Sequence, residues 1–353
     1  MFNMCLYPKL IQNRKYIPNK KNGGTPPAVS DYRVTMVPVA CGKCIECRKM
    51  NKREWQVRML EEVRHDRTGK FVTLTFSEES LIQLEEEQGN TANNYIRYNE
   101  VATIAVRRFL ERWRKKFKKS VKHWLVTELG HQGTERIHLH GIIFTTESNE
   151  TIIERWRYGN VWIGQYVNEK TINYIIKYIS KIDIDHKEYK AKILCSSGIG
   201  KGYMERYDSK TNMFKGEETK EYYTTKTGHK LNLPVYYRNK LYNEDQREKL
   251  WLNKLDKEER WVMGERIDVS ESEEEYNNAV EYYRQVNKRL GYGDDRVNWD
   301  EKMYKNNKKR LKLRTKYLKD VNKMNNNLDN PKSNSNFGDE NIPNIDYNKF
   351  NNF

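Results

Sequence analysis

Hydrophobic and polar positions follow two different periods through the middle of the chain, and these periods predict a mixed set of strands and helices. Alternation predicts strands at 71–76, 123–129, 136–144 and 160–167. Apolar spacings of three and four predict helices after Cys47 and over 105–119, 150–157 and 169–182. The acidic segment 81–95 is predicted to be a loop, and 130–135 the turn of a hairpin. This mixed order predicts an α+β fold, a central antiparallel sheet with helices packed on one face.

The flanking segments differ from this central part in composition. Residues 1–60 hold 12 Lys and Arg against 3 Asp and Glu, which predicts a basic, cysteine-containing N-terminal segment. Residues 61–243 carry the alternating elements and a glycine-rich stretch at 196–203, whose spacing does not fit a phosphate-binding P-loop. Residues 244–320 are charge-dense and predicted to be helical. Residues 321–353 include 12 Asn and few apolar positions, which predicts a disordered tail.

The net charge favours a polyanionic partner, with nucleic acid first. The chain has 65 Lys and Arg against 49 Asp and Glu, a net charge of +16. No apolar run is long enough to span a membrane and the first residues lack an apolar signal core, so we expect a cytoplasmic protein, in a host cell if it is viral.

The helix predicted over 105–119 carries eight cations around an apolar stripe. These cations either follow the phosphates of a nucleic acid or form an ordinary solvated helix face. The candidate DNA contacts on this helix are Arg107, Arg108, Arg112, Lys115 and Lys116.

Four of the five cysteines could bind one metal ion. Cys41, Cys44 and Cys47 are spaced so that their thiolates converge, and Gly42 allows the tight turn between them. Cys5 is a candidate fourth ligand from a neighbouring segment. A structural zinc ion would suit a small segment with little core of its own. Reduced thiols without a metal are the alternative, and an iron–sulfur cluster is disfavoured because the usual Cys-Pro partner is missing.

The segment from Ile137 to His140 predicts a metal site of a different kind. Alternate residues of a strand point to the same face, so His138 and His140 could hold one ion while Ile137 and Leu139 face the core. Glu128 on the adjacent strand is the candidate third ligand. Two histidines and a carboxylate leave positions open for a substrate oxygen, and Mg²⁺ or Mn²⁺ suits both these ligands and a phosphate. Two surface histidines without a metal are the alternative.

The predicted helix 169–182 carries a doubled Tyr-x-x-Lys pattern, Tyr174 with Lys177 and Tyr178 with Lys181. Isoleucines at helical spacing would anchor the opposite side, so two phenols and two ammonium groups emerge together. A free phenol has a pKa of about 10 and is a weak nucleophile at neutral pH. A metal-polarised phosphate and nearby lysines would assist its attack. Amphipathic residues on a solvated helix are the alternative.

In this order, the motifs resemble those of the HUH endonuclease superfamily, which contains the rolling-circle replication initiators. The strand at 71–76 resembles the first motif of that family. Residues 128–130 together with 136–141 resemble the second motif, and 174–181 resemble the third.

Other segments are similar to the initiators of microviruses, small single-stranded DNA phages. Their two-tyrosine type is matched by the paired tyrosines, and their gokushovirus-type members by 41–48, 196–203 and 233–241. The resemblance covers about residues 1–243 and leaves the C-terminal third without an interpretation.

The resemblance implies an RRM-like endonuclease domain that nicks a circular DNA origin. A tyrosine would form a 5′-phosphotyrosine and leave a free 3′-OH for rolling-circle replication, and the displaced strand would later be rejoined. His138, His140 and Glu128 would hold the metal ion. Single-stranded and origin DNA would be partners, with a host helicase or polymerase in addition, and neither a membrane nor a small-molecule substrate is expected. Two alternatives stay open: a non-enzymatic nucleic-acid-binding protein whose cysteines form a zinc knuckle, and a related transposase or relaxase.

Overall fold

The computed structural model describes residues 5–87, 94–130, 136–181, 186 and 189–293, and only the backbone of 94–97. Over these residues the strands are β1 Lys9–Gln12, β2 Met36–Val39, β3 Gly69–Leu74, β4 Lys122–Leu129, β5 Ile137–Phe144, β6 Val161–Ile163, β7 Ile193–Cys195, β8 Tyr222–Thr224, β9 Lys230–Asn232, β10 Glu259–Val262 and β11 Glu265–Asp268. The helices are α1 Ile45–His65, α2 Glu78–Glu86, α3 Asn94–Phe117, α4 Asn149–Trp156, α5 Glu169–Ile175, α6 Lys177–Ser180, α7 Tyr207–Thr211, α8 Val235–Leu241, α9 Glu244–Leu255 and α10 Glu274–Arg289. None of these described helices is both long and apolar enough to cross a membrane.

The predicted α+β class is confirmed by the central sheet. Its five strands run in the order β6-β3-β5-β4-β7, and each neighbouring pair is antiparallel. All four predicted strands belong to it, although β6 covers only three of the residues predicted at 160–167. The edge strand β7 was not predicted, because three residues are too few for alternation to show.

Helices cover both faces of this sheet, which corrects the expectation of helices on one face. On one face α2, α3 and α4 form a core with Leu125 and Leu139. On the other face α1, α5 and α6 form a core with Trp124 and Ile142. β4 and β5 carry apolar side chains on both of their sides, so each side of the sheet needs a covering layer.

The acidic segment 81–95 is not the predicted loop, because most of its described residues are helical. α2 begins after Ser77, whose hydroxyl accepts a hydrogen bond from the Ser80 amide and caps the helix. Leu81 and Leu84 are buried at helical spacing, and α3 already begins at Asn94. The dense run of glutamates obscured this short apolar spacing.

The charged segment 244–320 is helical only in part. The hairpin β10–β11 separates α9 from α10, and its turn contains Met263 and Gly264, both with positive φ. Residues beyond 293, including the predicted disordered tail 321–353, lie outside the described residues. The four predicted segment boundaries remain predictions.

The glycine-rich stretch 196–203 supports α1. The Gly200 amide donates a hydrogen bond to Glu62 Oε2 at 2.6 Å, and the Tyr237 hydroxyl donates one to the Gly200 carbonyl at 2.8 Å. Gly200 has φ +79°, and a Cβ there would lie 2.7 Å from the carbonyl oxygen of Arg58 on α1. A side chain is therefore excluded, and the loop lies directly against the helix.

Candidate active site

Strands β4 and β5 bring Glu128, His138 and His140 together. Glu128 pairs with His138 across the two strands, and His140 points to the same face two residues later. Glu128 Oε2 lies 3.1 Å from Nε2 of His138 and 3.0 Å from Nε2 of His140. The three ligand atoms lie within 4.8 Å of one another, so a single ion could contact all of them.

The other ring nitrogens of both histidines have partners that fix the ring orientation. Nδ1 of His138 lies 3.2 Å from the carbonyl oxygen of Arg136, and Nδ1 of His140 lies 3.0 Å from Thr73 Oγ1. A proton on each Nδ1 leaves the Nε2 lone pairs free for a metal ion. The donor set therefore fits a divalent cation such as Mn²⁺ or Mg²⁺. Sequence reasoning missed Thr73, although its place on the polar side of the strand at 71–76 was a usable signal.

Glu128 carries its negative charge in a mostly buried position. The Lys181 ammonium donates a hydrogen bond to Glu128 Oε1. Burial alone would raise the pKa of Glu128, but the hydrogen bonds with His138, His140 and Lys181 outweigh it and hold that pKa well below its usual range. The carboxylate is therefore charged at neutral pH, as a cation ligand must be.

The two tyrosines stand on either side of a helix break, whereas one continuous helix was predicted over 169–182. Tyr174 belongs to α5 and Tyr178 to α6, and Ile176 lies between these helices. Asn168 caps α5 by accepting a hydrogen bond from the amide of Thr171. The predicted isoleucine stripe is buried on the sheet and α1 at Ile172, Ile175, Ile176 and Ile179, while residue 182 lies outside the described residues.

The phenols contact each other and the histidines. The Tyr178 hydroxyl donates a hydrogen bond to the Tyr174 oxygen at 2.7 Å, and the Tyr178 ring stacks on His140 with 4.5 Å between centroids. The ammonium groups of Lys177 and Lys181 lie 5.7 Å from the ring centroids of Tyr174 and Tyr178, respectively. Burial, the hydrogen bond with Tyr174 and the charge of Glu128 raise the pKa of Tyr178. All seven residues predicted for this site are thus brought together.

The cations predicted as DNA contacts lie on α3, which packs on the opposite face of the sheet. Arg108 forms an ion pair with Glu87. Arg112 donates hydrogen bonds to the carbonyl oxygens of Arg155 and Trp156, where it binds the end of α4. Three of the predicted contacts are exposed, namely Arg107, Lys115 and Lys116. A role of these residues in DNA binding remains a prediction.

The predicted cysteine cluster also converges, at the N-terminus of α1. Sγ of Cys5 lies 3.8 Å from that of Cys44, and Sγ of Cys41 lies 3.9 Å from that of Cys47. All four sulfur atoms lie within 4.8 Å of one another. Zinc–sulfur bonds of about 2.3 Å in a tetrahedron place sulfur atoms about 3.8 Å apart, so the spacing fits a zinc ion. The turn expected at Gly42 is confirmed by its φ of +72°.

Backbone amides around this cluster point at sulfur atoms. The amides of Tyr7 and Cys41 donate hydrogen bonds to Cys5 Sγ at 3.3 and 3.2 Å. The amides of Lys43 and Cys44 donate to Cys41 Sγ at 3.4 and 3.3 Å. These donors and the positive end of the α1 dipole favour thiolates over thiols.

Comparisons with known proteins place the similarity in the segment that carries the candidate site. The family of the Replication-associated protein ORF2 matches residues 69–183, which include all seven of its residues. The Replication-associated protein ORF2 of Spiroplasma virus 4 is 28% identical over 240 residues, a match that covers 60% of this chain and 69% of that protein. No solved structure gives a significant match. Over its central sheet and tyrosine helices, this chain is therefore similar to viral replication-associated proteins.

Proposed function

We propose that this protein is a replication initiator that cuts one DNA strand by tyrosine attack. The observation that carries the proposal is the hydrogen-bonded Tyr174–Tyr178 pair stacked against the His138, His140 and Glu128 ligand set. The name of the Spiroplasma virus 4 relative and the matched family both support a role in replication. The net charge of +16 supports DNA as the substrate.

In the proposed reaction the Tyr174 oxygen attacks the phosphorus of a phosphodiester. A bond from phosphorus to the tyrosine oxygen forms while the bond to the 3′ oxygen breaks, which gives a 5′-phosphotyrosine and a free 3′-OH. The phenol proton leaves to solvent, and the departing 3′ oxygen takes up a proton. When bound by His138, His140 and Glu128, a divalent cation supplies positive charge at the phosphate oxygens. One phosphodiester replaces another, so no ATP is needed.

The second phenol permits the strand to be rejoined. After a polymerase has extended the 3′-OH around a circular template, Tyr178 cuts the regenerated origin. The released 3′-OH then attacks the first phosphotyrosine and closes the displaced strand. Lys177 and Lys181 lie beside the two phenols, where their charges would stabilise the negative phosphate in both steps.

Covalent adduct formation tests this proposal. The full chain is incubated with Mn²⁺ and a random-sequence pool of single-stranded DNA, and complexes that survive denaturing electrophoresis are collected. We expect adducts with the natural chain and none with the Tyr174→Phe, Tyr178→Phe double variant, while EDTA removes the adducts but leaves much of the DNA binding. An adduct formed by the double variant would show the proposal to be wrong. DNA binding without any adduct would instead favour the non-enzymatic nucleic-acid-binding protein.

We also propose that Cys5, Cys41, Cys44 and Cys47 hold a structural zinc ion. The cluster packs against the β10–β11 hairpin and α10, and α1 begins directly after Cys44. Zinc would therefore join the N-terminal segment to the helix that supports the tyrosines. Metal analysis of the purified chain is expected to find zinc, which Cys44→Ser should lose together with thermal stability. The control Cys195→Ser changes a cysteine on β7 and should keep the zinc; equal zinc content in both variants would contradict the assignment.

A further inference from the structure

An open groove lies beside Tyr174, and the reaction proposed above does not use its other walls. The groove encloses about 760 Å³ and is lined by Phe71, Trp162, Tyr166 and Tyr174, among others. Its volume lies within the range of about 300–1,000 Å³ that is typical of small-ligand sites.

Two large aromatic side chains of the groove are exposed. Trp162 is 59% and Tyr166 77% exposed. The Trp162 ring is held in place because it meets the Phe71 ring edge-on, 5.5 Å between centroids. Gly164 permits this packing, since a Cβ there would lie 3.1 Å from both rings. Exposed aromatic rings in a fixed position are the kind of surface on which unpaired bases stack.

The strand register connects the groove to the candidate metal ligands. Trp162 pairs with Thr73 across β6 and β3, and Thr73 pairs with His140 across β3 and β5. Two strand spacings amount to about 10 Å, so the indole stands within reach of a nucleotide whose phosphate lies at the histidines. Phe71 also meets the Tyr174 ring edge-on, with 6.1 Å between centroids.

Polar groups complete the lining on the side of α5. Lys170 brings a positive charge suited to a phosphate, and Gln165 and Thr171 offer hydrogen-bonding groups to base edges. Aromatic faces together with a cation match a single-stranded nucleic acid better than an uncharged apolar ligand.

On the basis of the proposed function, we propose that this groove binds an unpaired DNA base next to the scissile phosphate. The base stacks on Trp162 and Tyr166, and Lys170 contacts the neighbouring backbone. The groove thereby sets the position of the strand before Tyr174 attacks. Because every base has a π-face, stacking here tolerates different sequences.

The test compares two ligands that share one backbone. A labelled oligothymidylate and an oligomer of the same deoxyribose phosphates without bases are titrated by fluorescence anisotropy. The full chain carries Tyr174→Phe and Tyr178→Phe so that no cleavage occurs. Adding Trp162→Leu should weaken oligothymidylate binding about five- to 150-fold and leave binding of the base-free oligomer unchanged.

Tyr166→Ala should act in the same direction, and Tyr207→Ala is its matched control. Tyr207 is also 77% exposed but lies on α7, outside the groove. An equal loss for both ligands in the Trp162→Leu chain would overturn the proposal, because the effect would then not come from a base. No loss for either ligand would also overturn it. Failure of the proposed function is a separate result, the absence of any adduct when both catalytic tyrosines are present.

Discussion

The hydrogen bond between the two phenols predicts which tyrosine attacks first. The Tyr178 hydroxyl donates to the Tyr174 oxygen at 2.7 Å, so it can stabilise negative charge on that oxygen. The raised pKa of Tyr178, caused by its burial, the hydrogen bond and the charge of Glu128, keeps it a protonated donor at neutral pH. Tyr174 is 46% exposed and open to a phosphate. We therefore expect Tyr174 to act first, and Tyr178→Phe to slow it.

The size of this effect follows from the strength of the lost bond. A hydrogen bond to a charged oxygen contributes about 1.5–3 kcal/mol. The attacking oxygen gives up part of its charge as it bonds to phosphorus, so about half of that energy should appear in the rate. The first adduct of Tyr178→Phe should then form about three- to tenfold more slowly. Tyr174→Phe removes the nucleophile itself and should prevent the first adduct at this position.

Single-turnover formation of the adduct measures both effects. Enzyme in excess over a DNA selected from the random pool gives the rate of the first attack, without the later rejoining step. The control Tyr207→Phe removes an exposed phenol on α7 and should leave the rate unchanged. The reasoning is refuted if Tyr174→Phe forms the first adduct at the natural rate while Tyr178→Phe forms none.

Three further predictions concern the metal ligands and the stability of the fold. Glu128→Gln removes the ligand charge, so calorimetric titration should find Mn²⁺ binding weakened by at least about 10–100-fold, and unchanged affinity would contradict the ligand assignment. Gly200→Ala should lower the free energy of unfolding in urea by about 2–4 kcal/mol, because it adds a clash with Arg58 to the strain of positive φ. Gly198→Ala has the same φ of +79° but open space, so it should cost only about 1–2 kcal/mol; equal losses would show that the contact with α1 is unimportant. Burial lowers the pKa of His123 in the folded chain, so the unfolded chain binds that proton first and stability should fall as the pH drops below about 6.5. His123→Gln should flatten this part of the stability curve, and an unchanged slope would assign the pH dependence to other groups.

The sequence was sufficient for the parts of the molecule that depend on local geometry. The strands around Glu128 and His138 were predicted from alternation, and the shared face of His138 and His140 follows from the period of a strand. The convergence of the cysteines needed only their spacing and a turn at Gly42. Such features hold whatever packs around them.

Features that depend on distant parts of the chain were not predictable in the same way. The three residues of β7 form a strand only because β4 offers them a partner. Arg112 looked like a surface cation, but the end of α4 offers it carbonyl oxygens from a segment more than 40 residues away. That α3 and the tyrosine helices lie on opposite faces follows from the packing of the whole sheet.

Trypsin offers the most direct test of the central claim, because Lys177 separates the two tyrosines. Cleavage after lysine leaves Tyr174 in the peptide 171–177 and Tyr178 in the peptide 178–181. After nuclease and trypsin digestion of the covalent complex, mass spectrometry should find a nucleotide joined through its 5′-phosphate to the 171–177 peptide, with a second population on 178–181. A nucleotide attached to any other peptide, or joined through a 3′-phosphate, would contradict the account.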